Sequence, residues 1–245
     1  MNEPLALVVN SSTPLWYATR ATGLVALVLL TASMALGLLS AVRYQRPAWP
    51  RFVTLGLHRN LSLLALAFTV AHVLTTVLDS FVAIPLQDAV IPFIGTYRPL
   101  WVGFGAIAFD LMLALTATSL FRTRIGQRSW QMVHWSAYVC WPVAVLHGLG
   151  TGTDTSARWV LALTAACVLV VTVLVLWRIS LAWRDRPLAS AAGVVLVLAA
   201  LIAGGAWLEA GPLSAGWSAR SGTHASPASS SALSTGHSRS LEASR

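Results

Sequence analysis

Residues 57–74, LHRNLSLLALAFTVAHVL, hold two histidines, His58 and His72, fourteen residues apart inside an otherwise apolar run. Residues 133–154, VHWSAYVCWPVAVLHGLGTGTD, repeat the arrangement with His134 and His147, thirteen residues apart. A helix crossing a hydrocarbon core of about 30 Å takes roughly 20 apolar residues, and each run sits in a segment of that length. Working outward, six segments qualify: residues 15–41, 53–78, 99–121, 129–151, 157–179 and 188–209. The expected class is therefore an all-α integral membrane protein, a bundle of six transmembrane helices.

Composition agrees. The 245 residues are 56% hydrophobic and 10% charged, with a mean hydropathy of +0.71, against roughly 25% charged residues in a soluble domain. The formal charge of +8 does not point to nucleic acid. All 16 basic residues are arginines, and they gather in the short gaps between apolar runs rather than along one face. Arg43, Arg46 and Arg51 follow the first segment, Arg122, Arg124 and Arg128 the third, and Arg178, Arg184 and Arg186 the fifth. The gaps after the second and fourth carry only Arg98 and Arg158, with Asp79, Asp88 and Asp154. By the positive-inside rule the arginine-rich end faces the cytoplasm. The expected placement is a multi-pass protein of the cell inner or plasma membrane, with both termini outside and the second and fourth helices running the same way.

Residues 1–14 form an outer N-terminal segment without the basic start of a signal peptide, so the first helix is expected to remain in the mature chain. The bundle is residues 15–210, and residues 211–245 read as a disordered Ser-rich tail. The loop at 79–98, with Pro85, Pro92 and Pro99, is apolar but too broken to span, and is expected to cap the outer face. Cys140 and Cys167 both lie in apolar runs, where no structural disulfide is expected.

Four histidines in a membrane interior are costly enough to be functional by default. At 1.5 Å per residue, each helix carries its two histidines about 20 Å apart, and parallel helices bring His58 level with His134 and His72 level with His147. A low-spin haem iron takes a nitrogen ligand on each axial face, and neutral imidazoles from two neighbouring helices supply them. The constellation predicts two stacked bis-histidine haems, one near each membrane face. With no C-x-x-C-H they would be b-type. Zinc or copper fits less well, because their ligands converge on one point and these form two levels.

A step of fourteen residues returns to within about 40° of the same helix face, but thirteen land about 140° away. The fourth helix therefore departs from ideal winding, and Pro142, between its two histidines, is the expected place.

The two histidine runs, together with GFGAIAFDLMLALTATSLFR at 103–122 and the basic loop after it, resemble the ferric reductase-like transmembrane domain over about residues 15 to 180. That superfamily includes ferric reductases, NADPH oxidases and the haem membrane subunit of the bacterial periplasmic methionine sulfoxide reductase system. The resemblance implies that His58, His72, His134 and His147 are the axial ligands, the iron-binding residues of an oxidoreductase membrane subunit. Nothing in the sequence matches the flavin and nicotinamide domain of the larger members. The G-x-G-x-G at 148–152 ends a membrane helix, where a dinucleotide fingerprint is not credible. The chain is thus most similar to the standalone sulfoxide reductase subunit. The implied electron donor is a separate flavoprotein reductase or membrane quinol. The implied acceptor is a ferric chelate, dioxygen or an outer partner protein.

Arg59, beside His58, is expected to pair a haem propionate, against the plainer role of anchoring at the interface. Arg20, Arg98 and Arg158 are weaker candidates at the other end. Asp110 lies near the middle of the third segment, as a proton carrier or with a polar partner. Trp141 and Phe68 fall midway between the histidine levels, in position to pack between the haems, against the commoner role of packing in the helix bundle. Gly103, Gly105, Gly204 and Gly205 are expected to let helices approach. The rival from another class is a non-haem helix-bundle transporter or membrane scaffold, whose histidines relay protons or pack. It would more typically show repeats and helices interrupted near the midplane.

Overall fold

Residues 14–42, 50–79, 84–151, 155 and 157–217 are described in a computed structural model, and among them the chain is helical with no strand. The helices are α1 (Pro14–Ala41), α2 (Arg51–Leu78), α3 (Leu86–Val90), α4 (Pro99–Leu120), α5 (Arg122–Ile125), α6 (Gln127–His134), α7 (Ala137–Thr151), α8 (Arg158–Ala182) and α9 (Pro187–Ala210). Proline sets many of the starts. Pro14, Pro99 and Pro187 are the first residues of α1, α4 and α9, and Pro50 and Pro85 immediately precede α2 and α3. Its fixed φ suits the first turn, and its missing N–H has no helical acceptor there anyway.

Five helices, α1, α2, α4, α8 and α9, are long and apolar enough to cross a membrane. Their outward faces carry Leu, Val and Ile; Leu188, Leu196 and Ile202 are more than two-thirds exposed. Such a surface suits lipid rather than water. The fourth expected segment, 129–151, is not one helix but two: α6 ends at His134 and α7 begins at Ala137.

α1 packs along α2, and α4 along α7, while α8 closes against α1 and carries α9 on its far side. The core is built on α7 and α8, where Trp141, Val145, Cys167 and Val171 pack against Leu27, Leu30 and Met34 of α1. Trp141 donates its indole N–H to Thr31 Oγ1 at 3.0 Å, which places it in helix packing, the commoner of the two expected roles. Trp141→Phe is expected to cost roughly 1 kcal/mol through that lost bond. A small drop in the melting temperature of the detergent-solubilised chain would show it. Both cysteines are buried and free.

The loop at 84–98 folds over one end of the bundle. α3 sits there, and Phe93 packs edge-on to Phe104 of α4, with ring centroids 6.0 Å apart. A Cβ on Gly103 would meet the Phe93 ring at 2.3 Å, so Gly103 admits the loop rather than another long helix. Arg98 fastens the same end. It donates to Gly150 O at the end of α7 and to Trp217 O, which turns residues 211–217, the start of the Ser-rich tail, back over Trp101. Among the described residues nothing lies within 4 Å of a Cβ on Gly204 or Gly205. These two do not serve close helix contact, because α9 lies at the edge of the bundle. The expected outer segment before Pro14, the tail beyond Trp217, and Arg43, Arg46, Asp154, His224 and His237 lie outside the described residues.

Candidate haem-binding site

His58 and His72 project from α2, and across from them stand His134 at the end of α6 and His147 on α7. The His58 and His134 ring centroids are 6.1 Å apart at an interplanar angle of 80°, and those of His72 and His147 are 6.2 Å apart at 78°. The two levels expected from spacing are both present, at nearly equal separation.

The break between α6 and α7 lets the shorter spacing work. Ser136 N–H bonds Val133 O at 2.9 Å, Tyr138 N–H bonds Trp135 O at 3.1 Å, and Val139 N–H bonds Ser136 O at 2.9 Å. These are the tighter bonds of a 3₁₀ turn, which advances about 120° per residue instead of about 100°. Thirteen ideal residues fall about 140° short of four full turns, so overwinding adds rotation in the sense that is missing. The change lies at residues 133–139, upstream of Pro142, which is inside α7. Pro142 has no N–H for Tyr138 O, so it loosens the chain next to that turn rather than at its own position.

Three of the rings are held alike. His72 Nδ1 lies 2.8 Å from Thr19 O, His58 Nδ1 2.8 Å from Ser33 O, and His147 Nδ1 2.8 Å from Trp101 O. A carbonyl only accepts, so each of these nitrogens carries the proton and each Nε2 keeps a lone pair for a ligand. Four residues after each carbonyl stands a glycine against the ring. A Cβ on Gly23 would meet His72 at 3.0 Å, on Gly37 would meet His58 at 3.3 Å, and on Gly105 would meet His147 at 2.5 Å. A hydroxyl four residues after each histidine bonds that histidine's own carbonyl: Ser62 to His58 O, Thr76 to His72 O and Thr151 to His147 O, all at 2.7 Å. Ser62 Oγ also lies 2.6 Å from Ser33 Oγ.

His134 has none of these supports. Its Nδ1 is buried and has no hydrogen-bond partner among the described residues. Instead the ring stacks on Trp130 at 4.8 Å and 23°, and Trp130 is tied by its indole N–H to Ser119 Oγ at 3.2 Å.

The donor set fits a haem. A metal bond to an imidazole nitrogen is about 2.0 Å, and two such bonds on opposite faces, with about 1 Å from each nitrogen to its ring centre, separate the centroids by roughly 6 Å. No three His, Cys, Asp or Glu side chains converge among the described residues. The pairs therefore suit a centre whose remaining ligands come from a macrocycle. A cavity of about 330 Å³ opens at the His72–His147 level, lined by Gly23, Leu27, Gly105 and Val145 and also by Arg20 and the buried Asp79 and Asp88.

The other candidates scatter. Arg20 borders the cavity with its guanidinium 3.4 Å over the Trp16 ring. Arg98 is engaged by Gly150 and Trp217, Arg158 is exposed at the start of α8, and Arg59 is exposed on α2. Phe68 is half-buried on α2, and Asp110 is half-buried on α4, away from the cavity lining. Gly23, Gly37 and the three hydroxyls were missed from sequence. Gly23 and Gly37 repeat the fourteen-residue step of His58 and His72, and that shared period was the available signal.

A family model described as ferric reductase like transmembrane component matches residues 22–150, over half of the chain. The match takes in all four paired histidines and all three ring-contacting glycines, and is shorter at both ends than the resemblance noted above. Neither the curated proteins nor the solved structures gave a match. Domains of this kind generally bind haem, move electrons across a membrane and work with separate redox partners. With five apolar helices of spanning length and this match, the chain is a multi-pass membrane protein and belongs to the ferric reductase-like transmembrane family.

Proposed function

We propose that this chain carries electrons through the membrane, with His58 and His134 ligating an inner b-type haem and His72 and His147 an outer one. The observation that carries the reading is the pair of imidazole contacts at 6.1 and 6.2 Å, with three of the four Nδ1 atoms donating to helix carbonyls. Once bound, the haems supply the one-electron chemistry.

The protein's part is positional. The Nδ1–H bonds fix each tautomer and ring plane and raise the basicity of Nε2. Gly23, Gly37 and Gly105 let the rings lie against α1 and α4, and the apolar walls of α2, α4, α7 and α8 keep water from the sites. Arg20, which borders the outer cavity, would pair a propionate there, and Arg59, beside His58, one at the inner level.

In this reading α6 and α7 together make the sixth crossing, and the arginine-rich end, with Arg51, Arg122, Arg124, Arg128, Arg178, Arg184 and Arg186, lies in the cytoplasm. Both termini then lie outside. The donor is a cytoplasmic flavoprotein or membrane quinol, and the acceptor, a ferric chelate, dioxygen or partner reductase, meets the outer level beneath the loop at 84–98.

A reduced-minus-oxidised absorption spectrum of the detergent-purified chain, with haem assayed against protein, tests the reading. The expected result is a b-type spectrum at about two haems per chain. A colourless chain made with ample haem would sink it and favour a transporter or scaffold.

A further inference from the structure

His134 differs from its three counterparts in every support at once. His58, His72 and His147 each have a carbonyl on Nδ1, a glycine against the ring and a hydroxyl on their own backbone carbonyl. Among the described residues His134 has a buried Nδ1 without a hydrogen-bond partner and no glycine at its ring, and it has Tyr138 where the others have Ser or Thr. It also sits on the last residue of an eight-residue helix, at the break before α7. A metal-ligating histidine whose second nitrogen is bonded is the more basic and better oriented ligand. Losing that bond typically costs about 10–100-fold in metal affinity.

We infer that His134 is the exchangeable axial ligand of the chain, and that Trp130 is its positioning residue, replacing by face-to-face stacking the carbonyl the other three possess. The inference rests on the haem assignment under Proposed function and goes beyond it: the inner iron is the one open to an exogenous ligand, and His58 is its fixed side. Trp130 suits the role because its own indole N–H is anchored to Ser119 of α4, so its ring plane is set by a different helix from the one that breaks. In the exchange the His134 Nε2–iron bond breaks and a bond from the incoming ligand to iron forms, with no change of oxidation state.

Carbon monoxide added to the dithionite-reduced chain is the probe, read by absorption. His72→Ala with His147→Ala isolates the inner site, and His58→Ala with His134→Ala the outer. The inner-only chain is expected to bind carbon monoxide about 10–100-fold more tightly than the outer-only chain. In the wild-type background Trp130→Leu is expected to tighten carbon monoxide binding further at the inner haem alone, and Trp130→Phe, which keeps a stacking ring, to return it toward wild type.

Equal carbon monoxide affinity at the two isolated sites overturns the inference, as does a Trp130→Leu chain that behaves as wild type. Inner haem lost in Trp130→Leu and regained in Trp130→Phe supports the positioning role; haem lost in both variants overturns it. A wild-type chain that takes up no haem overturns the haem assignment itself, and is told apart by the absence of any pigment.

Discussion

His72→Ala and His147→Ala are expected to remove the same haem, halving the pigment of the chain while leaving the other signal in place. The reason is geometric. The two rings sit 6.2 Å apart, and an iron that loses either imidazole keeps one strong bond in a pocket shaped for two. His58→Ala, whose ring lies 6.1 Å from that of His134, is expected to remove the second haem in the same way, and His134→Ala to weaken that haem alone, because His58, its fixed ligand, remains. Residues that act as a unit are not additive. The double variant His72→Ala/His147→Ala is therefore expected to look like either single, whereas His58→Ala/His72→Ala, one from each level, empties the chain. Haem quantified against protein, with electron paramagnetic resonance to separate the two low-spin signals, reads this directly. Four independent losses, or a His72→Ala/His147→Ala chain without any haem, would break the pairing.

Adding one methyl group beside a histidine is expected to do nearly as much as removing one. A Cβ on Gly105 would lie 2.5 Å from Cε1 and 2.6 Å from Nδ1 of His147, while carbon atoms rest about 3.5–4.0 Å apart. Gly105→Ala therefore displaces the ring by roughly an ångström and breaks its bond to Trp101 O. Loss of such a bond costs about 10–100-fold in affinity for the metal. Gly23→Ala, at 3.0 Å from His72, is expected to weaken the same haem less, and Gly37→Ala, at 3.3 Å from His58, to touch only the other haem and mildly. Gly204→Ala and Gly205→Ala, with nothing within 4 Å among the described residues, are controls that should leave both. Retention of each haem on dilution or against apomyoglobin gives the ranking, and a Gly105→Ala chain holding its haem as tightly as wild type would contradict it.

The sequence by itself determined the class and the registers. Lipid demands long apolar helices with every backbone group satisfied internally, and that demand is written locally, so five of the six expected segments appear as helices within a few residues of their expected bounds. The four histidines stand out because polar side chains are rare in such runs, and their steps of fourteen and thirteen residues imply two levels without knowledge of packing. Only the tertiary structure decided how the thirteen-residue step is accommodated. The tight turn at 133–139 depends on which backbone carbonyls pair after α6 ends, and the sequence pointed to Pro142 instead. Nor could the sequence show that Thr19, Ser33 and Trp101 offer carbonyls to the rings, or that Gly23, Gly37 and Gly105 make room for them. A carbonyl has no residue identity, and a glycine's value depends on what lies against its missing Cβ. Which histidine lacks these supports is likewise decided across helices, between residues as far apart as Trp101 and His147, and so by packing rather than by pattern.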